Sequence, residues 1–198
     1  MTEEDPAQGR ATPGVSLLDE AGHAATVLPR HRHGLTRDEV RRSQETRVRV
    51  ATVEVVAEHG YAGASVRQIA SRAGISTKTF YELYPDKEAA FLATYAAVDL
   101  LAGWMREAAA RATTAAEVIE AGAKTYLSTL ASQPAFTQSL VIEAVASTDR
   151  IRARRSQGLA DFAGGMVDHL RRIRGAAGPD PAPTPADHAL LIGALGGV

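Results

Sequence analysis

Ser76, Thr77, Lys78 and Thr79 put three hydroxyls and an ammonium group on four consecutive residues, just after Gly74 and Ile75. Hydroxyls can hydrogen-bond base edges, threonine methyls can touch a thymine methyl, and lysine can hold phosphate. On the first turn of a helix, such short side chains let the backbone sit deep in the DNA major groove. Tyr81 and Glu82 extend the same face, and Arg67 lies upstream.

The elements that must carry these side chains are short. Ser65 can N-cap a helix, and Gln68 three residues on completes a capping box. Gly74 falls where that helix must end and the chain turn sharply, which favours a residue without Cβ. Ser76 caps the next helix, with Ile75 and Phe80 placed as its hydrophobic staple. Ile69, Ala73, Ile75, Phe80 and Leu83 are spaced to face a common core. A plain helical hairpin would also carry caps and staples. It would not need a glycine between helices this short, nor hydroxyls and a lysine on the first exposed turn. The residues therefore favour a helix-turn-helix that reads DNA.

Charge placement agrees. The formal net charge of the 198 residues is −1, which argues nothing for nucleic acid. Residues 1–27 carry one Arg against five acids, whereas residues 30–87 carry eleven Lys/Arg against seven acids. Positive charge thus concentrates in the segment expected to meet phosphate.

Residues 47–91 resemble the DNA-binding domain of the TetR/AcrR family of transcriptional regulators. The matching pieces are Ala57-Glu58-His59-Gly60-Tyr61, Ser65 to Ala70, Ala73-Gly74-Ile75-Ser76, Thr79-Phe80-Tyr81, and Tyr84-Pro85-Asp86-Lys87-Glu88. The family commonly has Phe at the position of Tyr84 and Leu within the Ala89–Phe91 segment, so the departures are mild. By resemblance, Arg67 reaches a base edge, as bidentate Arg to guanine would allow; a surface Arg holding phosphate is the alternative. The resemblance places Ser65, Tyr81, Tyr84 and Lys87 at phosphate-holding positions, a backbone clamp that sets register. Tyr84 could instead pack in the core.

The expected fold is all-α, with an N-terminal three-helix helix-turn-helix domain and a larger helical ligand-binding and dimerisation domain. Residues 1–35 read as a disordered arm, rich in Pro, Gly and charge without helical period. Its basic end, Arg30-His31-Arg32-His33, is either a solvated tail or a minor-groove contact. Residues 36–86 form the DNA-binding domain. Its first helix starts at a Thr36/Glu39 capping box with Leu35 and Val40 as staple, and stops at Gly60. Val48, Ala51, Thr52, Val55 and Val56 make its buried stripe; Arg37, Arg41 and Arg42 lie outside it.

Residues 87–198 form the second domain. Asp86 caps a long helix from Lys87 to about Arg111, and Thr114 with Glu117 caps one to about Ala131. Pro134 opens a helix to about Ser147, and another runs from about Asp149 to Arg174. Gly175 to Pro183 is a loop, and a last helix starts at Ala186 and stops at Val198. The resemblance implies two C-terminal helices in a dimeric four-helix bundle, so the chain reads as truncated there. Gly193, Ala194 and Gly197 put small residues on one face, which suits a dimer interface or internal packing.

A pocket in the second domain would be lined by Trp104, Met105, Tyr126, Phe136, Met166 and His169, each of which an ordinary core also explains. Glu143 stands in the otherwise apolar run Ser139 to Ala146. It suits a ligand cation or hydroxyl, or a partner among Arg150, Arg152, Arg154 and Arg155.

The remaining chemistry is sparse. Cysteine is absent, which excludes disulfides and Cys-based metal sites. The six His have no helical His-x3-His spacing, and no nucleophile elbow, phosphate loop or dinucleotide fingerprint is present. No metal, cofactor or catalytic centre is expected. The sequence has no apolar run of membrane-spanning length and no signal-peptide pattern, so a cytoplasmic protein without membrane partners is expected. Together these readings point to a homodimeric regulator, most simply a repressor, on a palindromic double-stranded operator, released by a small apolar effector. The alternative is an architectural or partner-controlled DNA-binding protein without an inducer.

Overall fold

The computed structural model describes residues 36–175. The N-terminal arm, the basic Arg30–His33 run, the last helix and its small-residue face lie outside the described residues. All regular structure in the described residues is helical.

α1 (Arg37–Gly63) opens at the expected box: Thr36 accepts from the Glu39 amide while the Glu39 side chain accepts from the Thr36 amide. Val40 is exposed, and its staple partner Leu35 lies outside the described residues. Val48, Ala51, Thr52, Val55 and Val56 are all buried, with Val53 beside them. The Thr52 hydroxyl donates to Val48 O at 2.7 Å, so it enters the core without an unmet hydrogen bond. Gly60 breaks the helix with φ 70° and ψ 162°, a backbone region essentially restricted to glycine. One short turn then leads to Ala64.

α2 (Val66–Arg72) and α3 (Thr77–Leu83) follow, capped by Ser65 and Ser76. Gly74, at φ 65°, makes the left-handed turn between them. Ile69 and Phe80 are fully buried against the α1 stripe, and Ile75 and Leu83 pack at its margin. Burying a side chain of this size stabilises by about 1.5–3 kcal/mol.

The long helix expected from Lys87 is two helices. α4 (Lys87–Ala93) ends at Thr94, and α5 (Ala96–Ala109) begins after Tyr95. Around the break the amides bond three residues back: Thr94 N to Phe91 O, Tyr95 N to Leu92 O and Ala97 N to Thr94 O. The buried Thr94 hydroxyl also donates to Phe91 O at 2.5 Å, which tightens the last turn of α4. Tyr61, Phe91 and Tyr95 form a ladder of rings at 5.4 and 6.2 Å that crosses from the end of α1, through α4, to the break.

α6 (Ala115–Ser132) packs against α5 as a hairpin. Thr114 caps it, but the Glu117 carboxylate bonds Thr113 rather than the cap residue, so the box is half formed. The helix expected from Pro134 to Ser147 is a single α-turn, α7 (Pro134–Phe136), which passes into a π-helix, Thr137–Glu143. There the Ala144 amide bonds Ser139 O, five residues back. α8 (Asp149–Gly175) runs beside α5 in the same direction: Arg154 pairs with Asp99 at 2.6 Å and Gly165 lies against the Arg106 side chain.

Candidate nucleic-acid interface

The turn between α2 and α3 is held from outside itself. The Arg47 guanidinium, on α1, donates to Ala73 O at 2.7 Å and to Gly74 O at 3.5 Å. It satisfies carbonyls left without partners at the end of α2. Arg72, in the last turn of α2, bonds Glu58 at 2.7 and 2.9 Å and Glu54 at 3.2 Å, which ties α2 to α1. The Arg72 hydrogen bond holds the Glu58 carboxyl below its ordinary range. The end of α2 and the turn into α3 are therefore fixed to the longer helix.

On this frame the side chains expected at DNA divide into two groups. Ser65, Arg67, Ser76, Thr77, Lys78 and Tyr81 are exposed, with Lys78 at 88% and Tyr81 at 57%. Lys78 lies 4.0 Å from Glu82 one turn on, a loose surface pair that leaves its ammonium available to another anion. Thr79 is half-buried, and its hydroxyl bonds the Ser76 hydroxyl at 2.9 Å, next to the cap bond from the Thr79 amide. The Ser65 hydroxyl is occupied in its own box with Gln68.

Tyr84 and Lys87 differ from that surface. The half-buried Tyr84 ring sits 6.0 Å from Phe80 against the core, and burial pushes its phenol above the usual range. Lys87 is turned inward. Its ammonium donates to Tyr61 O at 2.6 Å and Ala64 O at 2.9 Å and lies 4.4 Å from the centre of the Tyr61 ring. Two of its three N–H groups serve the carbonyls that end α1. Desolvation lowers its pKa.

Residues 49–94, which span α2, the turn, α3 and α4, match the family of bacterial regulatory proteins, tetR family. Over this domain the chain is similar to the tetR family. The described fold is shared with solved structures. The fatty acid degradation regulator FadR from Bacillus halodurans is 20% identical, with a TM-score of 0.68 over 77% of this chain and 80% of that one. FadR from Bacillus subtilis, solved in complex with stearoyl-CoA, is 21% identical, with a TM-score of 0.67 over 75% and 81%. A transcriptional regulator from Pseudomonas aeruginosa PAO1 is 23% identical, with a TM-score of 0.57 over 76% of each chain. Among curated proteins no significant match was found. Among the described residues, no helix is long and apolar enough to cross a membrane.

In the second domain, Met105 and Met166 meet over Gly122: a Cβ there would stand 3.9 and 3.3 Å from their methyl carbons. Phe136 is buried, and Trp104 and Tyr126 are half-buried against the same core. The Nδ1 of His169 lies 3.3 Å from the Arg172 guanidinium, and its Nε2 is buried without a hydrogen-bond partner. Three arginines of the expected set pair elsewhere than with Glu143. Arg150 binds Glu88, Arg152 binds Asp149 and Arg154 binds Asp99. The Glu143 carboxylate instead accepts from the Tyr61 amide at 3.2 Å and from Gln138 Nε2 at 3.3 Å. The reason is geometric: the π-helix aims this side chain at the Gly60 break.

Arg47 and Gln138 have structural roles that sequence reasoning missed. Arg47 stands one residue before Val48, at the margin of the buried stripe, and only that position hinted at an inward-facing cation.

Proposed function

We propose that the chain is a sequence-specific DNA-binding transcriptional repressor that acts in the cytoplasm as a homodimer and is released from its operator by a small apolar molecule. The observation that carries the DNA part is the exposed face of α3. Lys78 and Tyr81 project from a helix whose two neighbours are clamped by Arg47 and Arg72. In this reading at least one of Thr77, Lys78 and Thr79 meets a base edge and Arg67 meets guanine, while Ser65, Ser76, Tyr81 and Tyr84 hold backbone phosphates. Two copies would present their α3 helices about 34–36 Å apart to match a palindrome.

The effector site belongs to the second domain, among Trp104, Met105, Tyr126, Phe136, Met166 and His169. The stearoyl-CoA bound by a protein of the same fold makes elongated acyl compounds the first class to test. Such a molecule must bind the state that fits DNA poorly more tightly than the state that fits it well.

The experiment is a selection of bound genomic fragments with the full chain at stated salt, followed by titration with acyl compounds. A palindrome whose half-sites lie about one helical turn apart supports the reading. Binding that is weak and blind to sequence, or that is unmoved by Lys78→Ala and Tyr81→Ala together, refutes it.

A further inference from the structure

Two routes join the second domain to the reading head. One is covalent, through α4, but it is broken at Thr94–Tyr95. The other is the packing of α7 and the π-helix on α1, and its polar contact is the Glu143 carboxylate. Glu143 Oε2 reaches the Tyr61 amide and lies 3.1 Å from where a Cβ on Gly60 would stand. Tyr61 is also the residue whose carbonyl takes the Lys87 ammonium. Its peptide N–H and C=O are thus held from opposite directions, by the second domain and by the head of α4.

The Gln138–Glu143 bond bears on the register of this segment. The two residues are five apart. In an α-helix, residues five apart are rotated by about 140° and do not face each other. In a π-helix, whose backbone bonds connect residues five apart, they stack. Apolar burial alone does not account for the register, because Ile142 and Val145 remain 53% and 52% exposed in it. A return to α register would turn Glu143 about 100° for each residue gained or lost and take it off the Tyr61 amide.

We infer that Gln138 and Glu143 form a register latch: the side-chain bond holds the π-helix, and the π-helix holds Glu143 on the Tyr61 amide, which fixes the reading head to the second domain. Glu143 is a positioning residue, and any event that shifts the Thr137–Glu143 register frees the head. Its use as a switch rests on the effector-controlled reading above; its existence does not, and neither does its test.

The chain has no cysteine, so Glu82→Cys on α3 and Glu120→Cys on α6 give a clean, exposed pair for spin labels in the full chain. The parent should give one narrow distance population. Glu143→Ala should broaden it or add a second population, and Glu143→Gln, which keeps an acceptor for the amide, should restore it. Gln138→Ala should broaden it less. A narrow, unchanged population in folded Glu143→Ala overturns the latch. Should Glu143→Ala not fold, amide exchange in Gln138→Ala decides: Tyr61 should exchange about tenfold faster relative to Val56, and unchanged protection overturns the latch. A latch that holds while no operator is found leaves the latch standing and removes the regulatory reading. An operator found with unchanged distances does the reverse.

Discussion

The ammonium of Lys87 lies 2.6 Å from the carbonyl oxygen of Tyr61 and 4.4 Å from the centre of its ring, so one side chain caps the end of α1 and covers the aromatic residue there. Losing it leaves two partly buried carbonyls without a donor. Lys87→Met should lower stability by about 1–3 kcal/mol in urea denaturation.

The same geometry separates two lysines by salt dependence. On a duplex recovered by selection, Lys78→Ala should reduce the slope of log affinity against log salt by about 1. Lys87→Met should leave that slope unchanged. An equal loss of slope in both would put Lys87 in the phosphate clamp.

Gly60 and Gly74 both have positive φ but should not tolerate alanine equally. At Gly74 the backbone is left-handed helical, and a Cβ meets only the end of the Arg47 side chain at 3.4 Å. A cost of about 1–2 kcal/mol is expected there. At Gly60, ψ is 162° and the Cβ meets Glu143 Oε2 at 3.1 Å. Gly60→Ala should cost more than Gly74→Ala, up to about 3 kcal/mol, as read from the two urea midpoints.

Tyr95 carries a buried hydroxyl with no hydrogen-bond partner, and desolvation pushes its phenol up to about 12. Removing an unmet polar group relieves a desolvation cost. Tyr95→Phe should therefore leave the melting temperature unchanged or raise it, whereas Tyr95→Ala should lower it by opening a cavity.

Acid should weaken the fold in a defined window. Glu39, Glu58 and Glu117 all lie below the ordinary 4.5, chiefly through the Thr36 amide, the Arg72 side chain and the Thr113 amide respectively. A carboxylate with a lowered folded value stabilises above its unfolded value, and that contribution fades as pH falls through the folded one. The urea midpoint should be steady between about pH 7 and about pH 5 and should decline below about pH 4.5.

What the sequence showed in advance was local. The caps at Thr36, Ser65, Ser76, Asp86 and Thr114 are visible because donor and acceptor lie three residues apart. Glycine at the two positive-φ turns and the α1 stripe follow from backbone sterics and helical period. The contacts between elements could not be read so. Arg47 bonds a carbonyl 26 residues away, and Glu143 an amide 82 residues away. The break at Thr94–Tyr95 carries neither Gly nor Pro, and the π register depends on what the segment packs against. Propensity continues a helix through both.

That break sets the mechanics of the molecule. α4 has seven residues, a rod of roughly 10 Å. A rod that short turns a tilt into little travel: 10° moves its far end by less than about 2 Å. The shaft from the second domain thus has low gain, and a large swing of α3 would need a pivot that lets the head turn as one piece. The break at Gly60 lies beside the head of α4, where Lys87 bonds Tyr61 O, and is the place for such a pivot.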